Sequence, residues 1–176
     1  SLNHEGCQTF TGQMIEGVEN GESPTWLKKR LEQAGLRPIN TVADITNYML
    51  MTYGNPMHAY DADKLSGNIR VEAAKGGEAL KGLDGNMHEL AEGDIAICDD
   101  SGVIGLGGIV GGESTSVDEN TKRVYLEVAH FNRSDIAVTG QRLQCNTDAR
   151  YRFERGIDHG MIVPASAMAA NLIEEL

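Results

Sequence analysis

The spacing of apolar residues changes character twice along this chain, and that change limits the folds open to it. Between Ser23 and Tyr53 apolar residues recur at helical intervals, from Ile69 to Val128 they alternate with polar neighbours, and from residue 132 onward the helical interval returns. A segment buries its apolar face only in the secondary structure whose period it matches. The chain therefore reads as α+β: a β-rich central core of mixed sheets flanked by N-terminal and C-terminal helices. Its 176 residues suit a single domain over 1–176, and an apolar share of 40% supplies a core, largely aliphatic because aromatics make up only 5%.

Local signals place the elements. Residues 23–35 read as a helix with Ser23 as N-cap and Pro24 in the first turn. Trp26, Leu27, Leu31 and Ala34 form its apolar face, and Gly35 stops it. A second helix runs from Thr41 to Tyr53 on Val42, Ile45 and Met49 and ends at Gly54. Ile69, Val71 and Ala73 alternate as a strand, Asp84-Gly85 marks a hairpin, and Ile95 to Cys98 forms another strand. In the strand of Val124, Leu126 and Val128, Tyr125 and Glu127 must take the opposite face. Helices follow over 132–143, on Ile136, Ala137 and Leu143, and at the C-terminus, on Ala165, Met168, Ala169, Leu172, Ile173 and Leu176.

Composition excludes several classes. No apolar run approaches the roughly 20 residues of a membrane span. Ser1 to Gly6 is short and polar, unlike a signal peptide, with Ser1 and Leu2 read as an expression remnant. The expected compartment is the cytoplasm. Cys7, Cys98 and Cys145 are too scattered for a disulfide framework or a zinc motif, so no metal is expected. A net charge of −11 argues against gripping nucleic acid by broad electrostatics; any RNA should be met over a small area.

Individual residues leave alternatives open. The stretch Gly105 to Gly112 has no Walker or dinucleotide pattern. It reads as a tight turn between close backbones, or as room for a ligand to approach main-chain amides. His58, after the Asn55-Pro56 turn, carries the side chain suited to proton transfer near neutrality, although a lone histidine is more often structural. Glu127 sits mid-strand between apolar positions, where it either faces water or is a buried acid in need of a partner. Thr46 and Asn47 could back-bond to their helix, and Thr147-Asp148 looks like a helix cap. Arg150, Arg152 and Arg155 form the densest basic cluster, either for phosphate or for ion pairs with Glu154 and Asp158.

Six segments in order carry a resemblance: SPTWLKKRLEQAGLRPIN (23–40), DITNYMLMTYGNPMHAYD (44–61), LDG (83–85), GGIVGGE (107–113), LEVAHF (126–131) and NTDARYRFERGID (146–158). Together they resemble the editing domain of bacterial phenylalanyl-tRNA synthetase β subunits, from about Cys7 to the end. The departures are Tyr60, where that family usually has Phe, and Val110, where Met or Phe is common. The resemblance implies hydrolysis of the ester of tyrosyl-tRNA(Phe), with Glu127 reading the tyrosine hydroxyl and His58 orienting the ester or the attacking water. Thr46 and Thr147 join His58 as implied catalytic residues, while Asn47, Gly108, Gly111 and Ala149 would line the pocket. The terminal ribose hydroxyl of the tRNA could assist instead of a protein base. The implied partners are the 3′ end of tRNA(Phe) carrying tyrosine, the synthetase α subunit and the remaining β-subunit domains, as α2β2. No cofactor is implied for this domain; ATP and Mg would serve the complete synthetase elsewhere. The other reading is a non-catalytic module for tRNA positioning or subunit assembly, and a remoter one is a phosphate or nucleotide binder using the Gly-rich loop.

Overall fold

The computed structural model describes residues 1–176. In chain order the elements are β1 (Cys7–Glu16), α1 (Thr25–Gln33), α2 (Thr41–Tyr53), β2 (Met57–Asp61), β3 (Arg70–Ala73), β4 (Ala79–Lys81) and β5 (Met87–Glu89). Then come β6 (Ile95–Asp99), β7 (Gly102–Leu106), β8 (Val110–Gly111), β9 (Arg123–Phe131), α3 (Arg133–Leu143), α4 (Asp148–Phe153) and α5 (Ile162–Glu175). The α+β expectation holds, with helices at both ends of a strand-rich middle. No helix is long and apolar enough to cross a membrane.

The chain divides into two compact units. The first comprises Ser1–Phe10, Lys64–Ser116 and Ala129–Ile157. Its sheet has the order β3-β6-β7-β8, antiparallel throughout, with β4 and β5 paired as a separate hairpin. Val71, Ile95, Ile97, Ile104 and Leu106 are buried on these strands, and Leu80 and Leu90 on or beside the hairpin. Phe131 meets Phe153 edge to face at 5.2 Å between ring centroids. Helix α3 is fixed by polar contacts to buried Asp94, which takes the Thr139 hydroxyl at 2.9 Å and pairs with Arg142.

The second unit comprises Thr11–Asp63, Val117–Val128 and Asp158–Leu176. Here β9 lies between β1 and β2, and α2 packs against α1, α5 and β2. Val42, Ile45 and Met49 are fully buried on α2, as its spacing predicts, and Gly54 ends the helix at φ 68°, a conformation costly to residues bearing a Cβ. Asn40 caps its start by accepting from the Ala43 amide. Along α5, Ala165, Ala169 and Ile173 form the buried stripe, while Met168 and Leu172 are half-buried and Leu176 is exposed.

The first helix departs from expectation. It starts at Thr25, with Pro24 in the cap position and no side-chain cap bond. Ser23 instead donates its hydroxyl to Asp44 Oδ2 at 2.6 Å, because a fully buried carboxylate nearby needs donors more than the helix end needs an acceptor. Leu27 and Leu31 are buried, but Trp26 and Ala34 are exposed. Trp26 packs edge to face on Tyr48, with the Arg30 guanidinium over its ring. In β3 only Val71 is buried, with Ala73 exposed. Of the arginine cluster, Arg150 pairs with Glu154 at 3.1 Å and Arg155 with the same carboxylate. Arg152 pairs with Asp148 at 3.1 Å, since one helical turn brings residues i and i+4 together. The long strand β1 is an element that the sequence pattern did not reveal.

Asp44 takes both the Ser23 hydroxyl and the Ile39 amide, the latter at 2.8 Å. Replacing Asp44 by Ala strands the buried Ser23 hydroxyl and removes the acceptor of the more exposed Ile39 amide, which costs about 1–3 kcal/mol in all. Urea titration should show that loss; a shift below about half a kcal/mol would mean that water reaches these groups.

Candidate active site

Pairing of β2 with β9 brings two of the proposed residues face to face. The antiparallel register sets His58 opposite Glu127 and Tyr60 opposite Tyr125. Directly opposed side chains share a face and lie within reach of one another. The other face carries Ala59, Val124, Leu126 and Val128, all buried, with Met57 and buried Asp61 at its ends, so alternation gathers His58, Tyr60, Tyr125 and Glu127 on one side. The alternation read from sequence thus places Glu127 correctly, and burial decides between its two readings: it is only 6% exposed.

Other buried carboxylates show how unusual Glu127 is. Asp44 accepts two hydrogen bonds, Asp61 takes the Thr121 hydroxyl and the Asp63 amide, and Asp99 takes the Ser66 and Ser101 amides with the Ser101 hydroxyl. For Asp99, burial pushes the pKa up, but these donors outweigh it and hold the group below the usual carboxylate range. Glu127 receives one bond, from the Tyr60 hydroxyl to Oε2 at 2.6 Å. Burial therefore wins and pushes its pKa up to about 7, against the small lowering by Tyr60. Burial acts on His58 in the opposite sense, lowering it to about 4. The residue is half-buried overall, yet its Nε2 is enclosed with no hydrogen-bond partner. Its ring rests edge to face on Tyr60, 4.3 Å between centroids. Tyr60 thus touches both candidates, a role that sequence reasoning missed because a tyrosine among apolar neighbours reads as core. Asn55 was missed as well: it is fully buried, and neither amide atom has a partner.

The remaining candidates are differently placed. On α2, Thr46 donates its hydroxyl to the Ala43 carbonyl at 2.8 Å, the back-bonded arrangement, while Asn47 is half-buried. In the first unit Thr147 caps α4 by accepting from the Arg150 amide, and it donates to the Ile109 carbonyl at 2.7 Å. Its hydroxyl is committed to the fold on both sides, and the bond ties Ala149, in the first turn of α4, to the Gly-rich segment. A hollow of about 250 Å³ opens beside this cap, lined by Asn146, Thr147, Asp148, Arg150, Tyr151 and Glu154. The candidates thus form two groups, His58, Glu127, Thr46 and Asn47 in one unit and Gly108, Gly111, Thr147 and Ala149 in the other.

The Gly-rich segment is a tight turn between β7 and β8, where the Ile109 amide bonds back to the Leu106 carbonyl. A Cβ on Gly108, at φ 69°, would lie 2.7 Å from Ile136 Cδ1, and one on Gly112 would lie 2.5 Å from the Ile104 carbonyl oxygen. Close packing alone accounts for these two glycines. Gly111 is half-buried, with its carbonyl taken by the Leu83 amide.

The fold also gathers Asp84, His88 and Cys145, whose donor atoms lie within 4.8 Å of one another. Linear spacing could not reveal this set. Asp84 accepts from Asn86 and bonds with the His88 ring at 3.0 Å; burial opposes its charge, but these bonds prevail and bring its pKa to about 2. The cluster pins the β4–β5 turn.

The sequence model of the B3/4 domain matches residues 6–176. The chain belongs to the B3/4 domain family. It is 48% identical over 170 residues to the phenylalanine–tRNA ligase beta subunit of Nitrobacter winogradskyi, covering 97% of this chain and 21% of that subunit. The corresponding subunit of Cereibacter sphaeroides is 44% identical over 176 residues, covering 100% and 22%. The chain therefore spans about a fifth of the relatives it matches. A crystal structure of an N-terminal fragment of the phenylalanyl-tRNA synthetase beta subunit from Pyrococcus horikoshii matches 98% of this chain and 48% of that fragment. The TM-score is 0.61 at 14% identity, a likeness of fold. This B3/4 domain is thus a part of a phenylalanine–tRNA ligase beta subunit.

The burial of Glu127 leaves a mark on stability. Its pKa is raised on folding, so its contribution is complete below the unfolded value of 4.5 and is lost as pH rises through about 7. His58 is lowered, so its contribution is complete above 6.5 and is lost as pH falls through about 4. Between about pH 6.5 and about pH 8 only Glu127 of the two acts, and its ionisation removes on the order of 1 kcal/mol. Glu127→Gln should flatten that slope and raise the melting temperature at about pH 8. A slope equal to that of the native chain would place the carboxylate in water.

Proposed function

We propose that this B3/4 domain proofreads for the synthetase: it hydrolyses the ester of tyrosine wrongly attached to tRNA(Phe), and Glu127 reads the tyrosine hydroxyl. The supporting observation is a buried carboxylate with a single donor, directly across the strand pair from a histidine whose Nε2 is unpartnered. A pocket built to hydrogen-bond a hydroxyl rejects the analogue lacking it by orders of magnitude, since its polar groups are then left unpaired. A pocket built for phenylalanine cannot reject tyrosine comparably, which is why a second site is useful.

The chemistry is attack of water on the ester carbonyl, releasing tyrosine and the esterified hydroxyl of the tRNA's terminal ribose. His58, with a pKa near 4, is a weak base at neutral pH and better suited to hold the ester or the water by a hydrogen bond than to remove a proton. A covalent route through cysteine has little support, because burial raises the Cys98 thiol to about 12 and the Cys145 thiol to about 11. Thr46 and Asn47, in the same unit as His58 and Glu127, are proposed to line the substrate path, while Gly108, Gly111, Thr147 and Ala149 are proposed from the resemblance alone. Thr46 acts there by shape, as its hydroxyl is used within the fold.

The substrate would be the charged 3′ end alone, with the tRNA body held by the α subunit and the other β-subunit domains. That division suits a chain of net charge −11 whose arginine cluster is spent on ion pairs. The same ion pairs weigh against a purely tRNA-positioning module. ATP and Mg would act elsewhere in the synthetase.

In the full-length subunit assembled into its synthetase, Glu127→Ala should cut deacylation of tyrosyl-tRNA and reduce the preference for Tyr over Phe at least tenfold, as expected for loss of a charged hydrogen bond. Equal preference in variant and native enzyme would reject Glu127 as the reader. Gly111→Trp should block editing and spare phenylalanine attachment; loss of both activities would instead report misfolding.

A further inference from the structure

The hydroxyl that Glu127 already holds is itself a phenol. Tyr60 is 1% exposed, donates to Oε2 at 2.6 Å, and has its ring fixed against His58 at 4.3 Å and Tyr125 at 6.3 Å. A carboxylate has two oxygens and room for several donors. With Oε2 held by a ring packed on two sides, Oε1, which makes no hydrogen bond, is the oxygen left for an incoming hydroxyl. We propose that Tyr60 is a specificity-setting positioning residue of the editing site: it clamps one oxygen of Glu127 so that the other is presented to the substrate phenol. This rests on the reading of Glu127 given above.

Two consequences separate a clamp from packing. First, the bond favours the ionised carboxylate, which is the form that accepts most strongly from a phenol. Removing the Tyr60 hydroxyl therefore raises the pH at which Glu127 ionises. The titratable groups sharing this face are His58 across the strand pair, Tyr60 and Tyr125. Burial disfavours charge on His58, and Tyr125 is pushed up by burial and by Glu127, so Glu127 is the group of this set that ionises near neutrality. Second, Tyr60→Phe keeps the ring that supports His58, so the hydrolytic machinery stays in place while the reader loses its orientation.

The test compares native synthetase with Tyr60→Phe and Glu127→Ala, measuring deacylation of tyrosyl- and phenylalanyl-tRNA from about pH 6 to about pH 9, with phenylalanine attachment as a folding control. Tyr60→Phe should lower the Tyr-over-Phe ratio about tenfold at neutral pH, the loss expected for one hydrogen bond to a charged group. It should also move the rise of that ratio with pH to the alkaline side, so that part of the loss is recovered at the upper end. A Tyr60→Phe enzyme with native ratio and native pH profile, beside a Glu127→Ala enzyme that has lost discrimination, overturns the clamp and leaves Glu127 as the reader. Native discrimination in Glu127→Ala overturns both. A Tyr60→Phe enzyme that loses Tyr and Phe deacylation equally, with no shift in profile, assigns Tyr60 to packing alone and also overturns the clamp.

Discussion

The antiparallel pairing of β2 and β9 is the interaction on which the candidate chemistry depends. The period of two along each strand divides the residues between two faces, and the register decides which residues meet. On one face Val124, Leu126 and Val128 have no exposure and anchor the strand in the core. That anchoring fixes the opposite face, where His58, Tyr60, Tyr125 and Glu127 are brought together. A slip of one residue would send Glu127 into the apolar layer and an aliphatic side chain into the polar group. The burial of three small β-branched and aliphatic side chains thus sets the position of the acid more firmly than any contact the acid makes itself.

Polar groups inside this domain fall into two kinds. Asp44, Asp61, Asp94 and Asp99 each collect two or more donors and serve as fixed joints between segments. Thr147 and the Asp84–His88 pair behave in the same way at the α4 cap and the β4–β5 turn. Glu127, His58 Nε2 and the Asn55 amide do not, nor do Thr115 Oγ1 and Glu78 Oε2: they are enclosed with one partner or none. Since an unmet buried group costs free energy, its retention needs a reason that stability does not supply. Asn55, His58 and Glu127 come from β2 with the turn before it and from the strand paired with it.

Much of this was legible in the sequence where pattern and physics coincide. Helix α2 has the bounds 41–53 because Val42, Ile45 and Met49 keep one stripe and Gly54 must end it. The face of Glu127 followed from simple alternation. The identities of its neighbours did not, because register is a property of two strands far apart in the chain: nothing near residue 127 names residue 60. The same holds for Cys145 beside Asp84. Ser23 was misread as a cap since the competing acceptor, Asp44, lies on another helix. Strand β1 was missed because its one deeply buried aliphatic, Ile15, leaves no alternation to find. Thr46 and Thr147 entered the candidate site by family resemblance, and the structure gives their hydroxyls local partners that composition could not foretell.

A carboxylate held near its point of ionisation is better suited to telling a phenol from a phenyl ring than one that is fully solvated or fully paired. In water it would exchange one hydrogen-bond donor for another and gain little from the substrate. With two or three protein donors, as around Asp99, it would have no need of the substrate's hydroxyl. Burial with a single donor leaves a deficit that a tyrosine side chain removes and a phenylalanine side chain deepens, by displacing any water that could have helped. The Tyr60 bond sets the size of that deficit. Without it the acid would hold its proton more firmly and lose its appetite for a donor; with a second bond the deficit would close. Under the proposed function, the Tyr60 bond therefore lies on the term that would determine how strongly such a site discriminates.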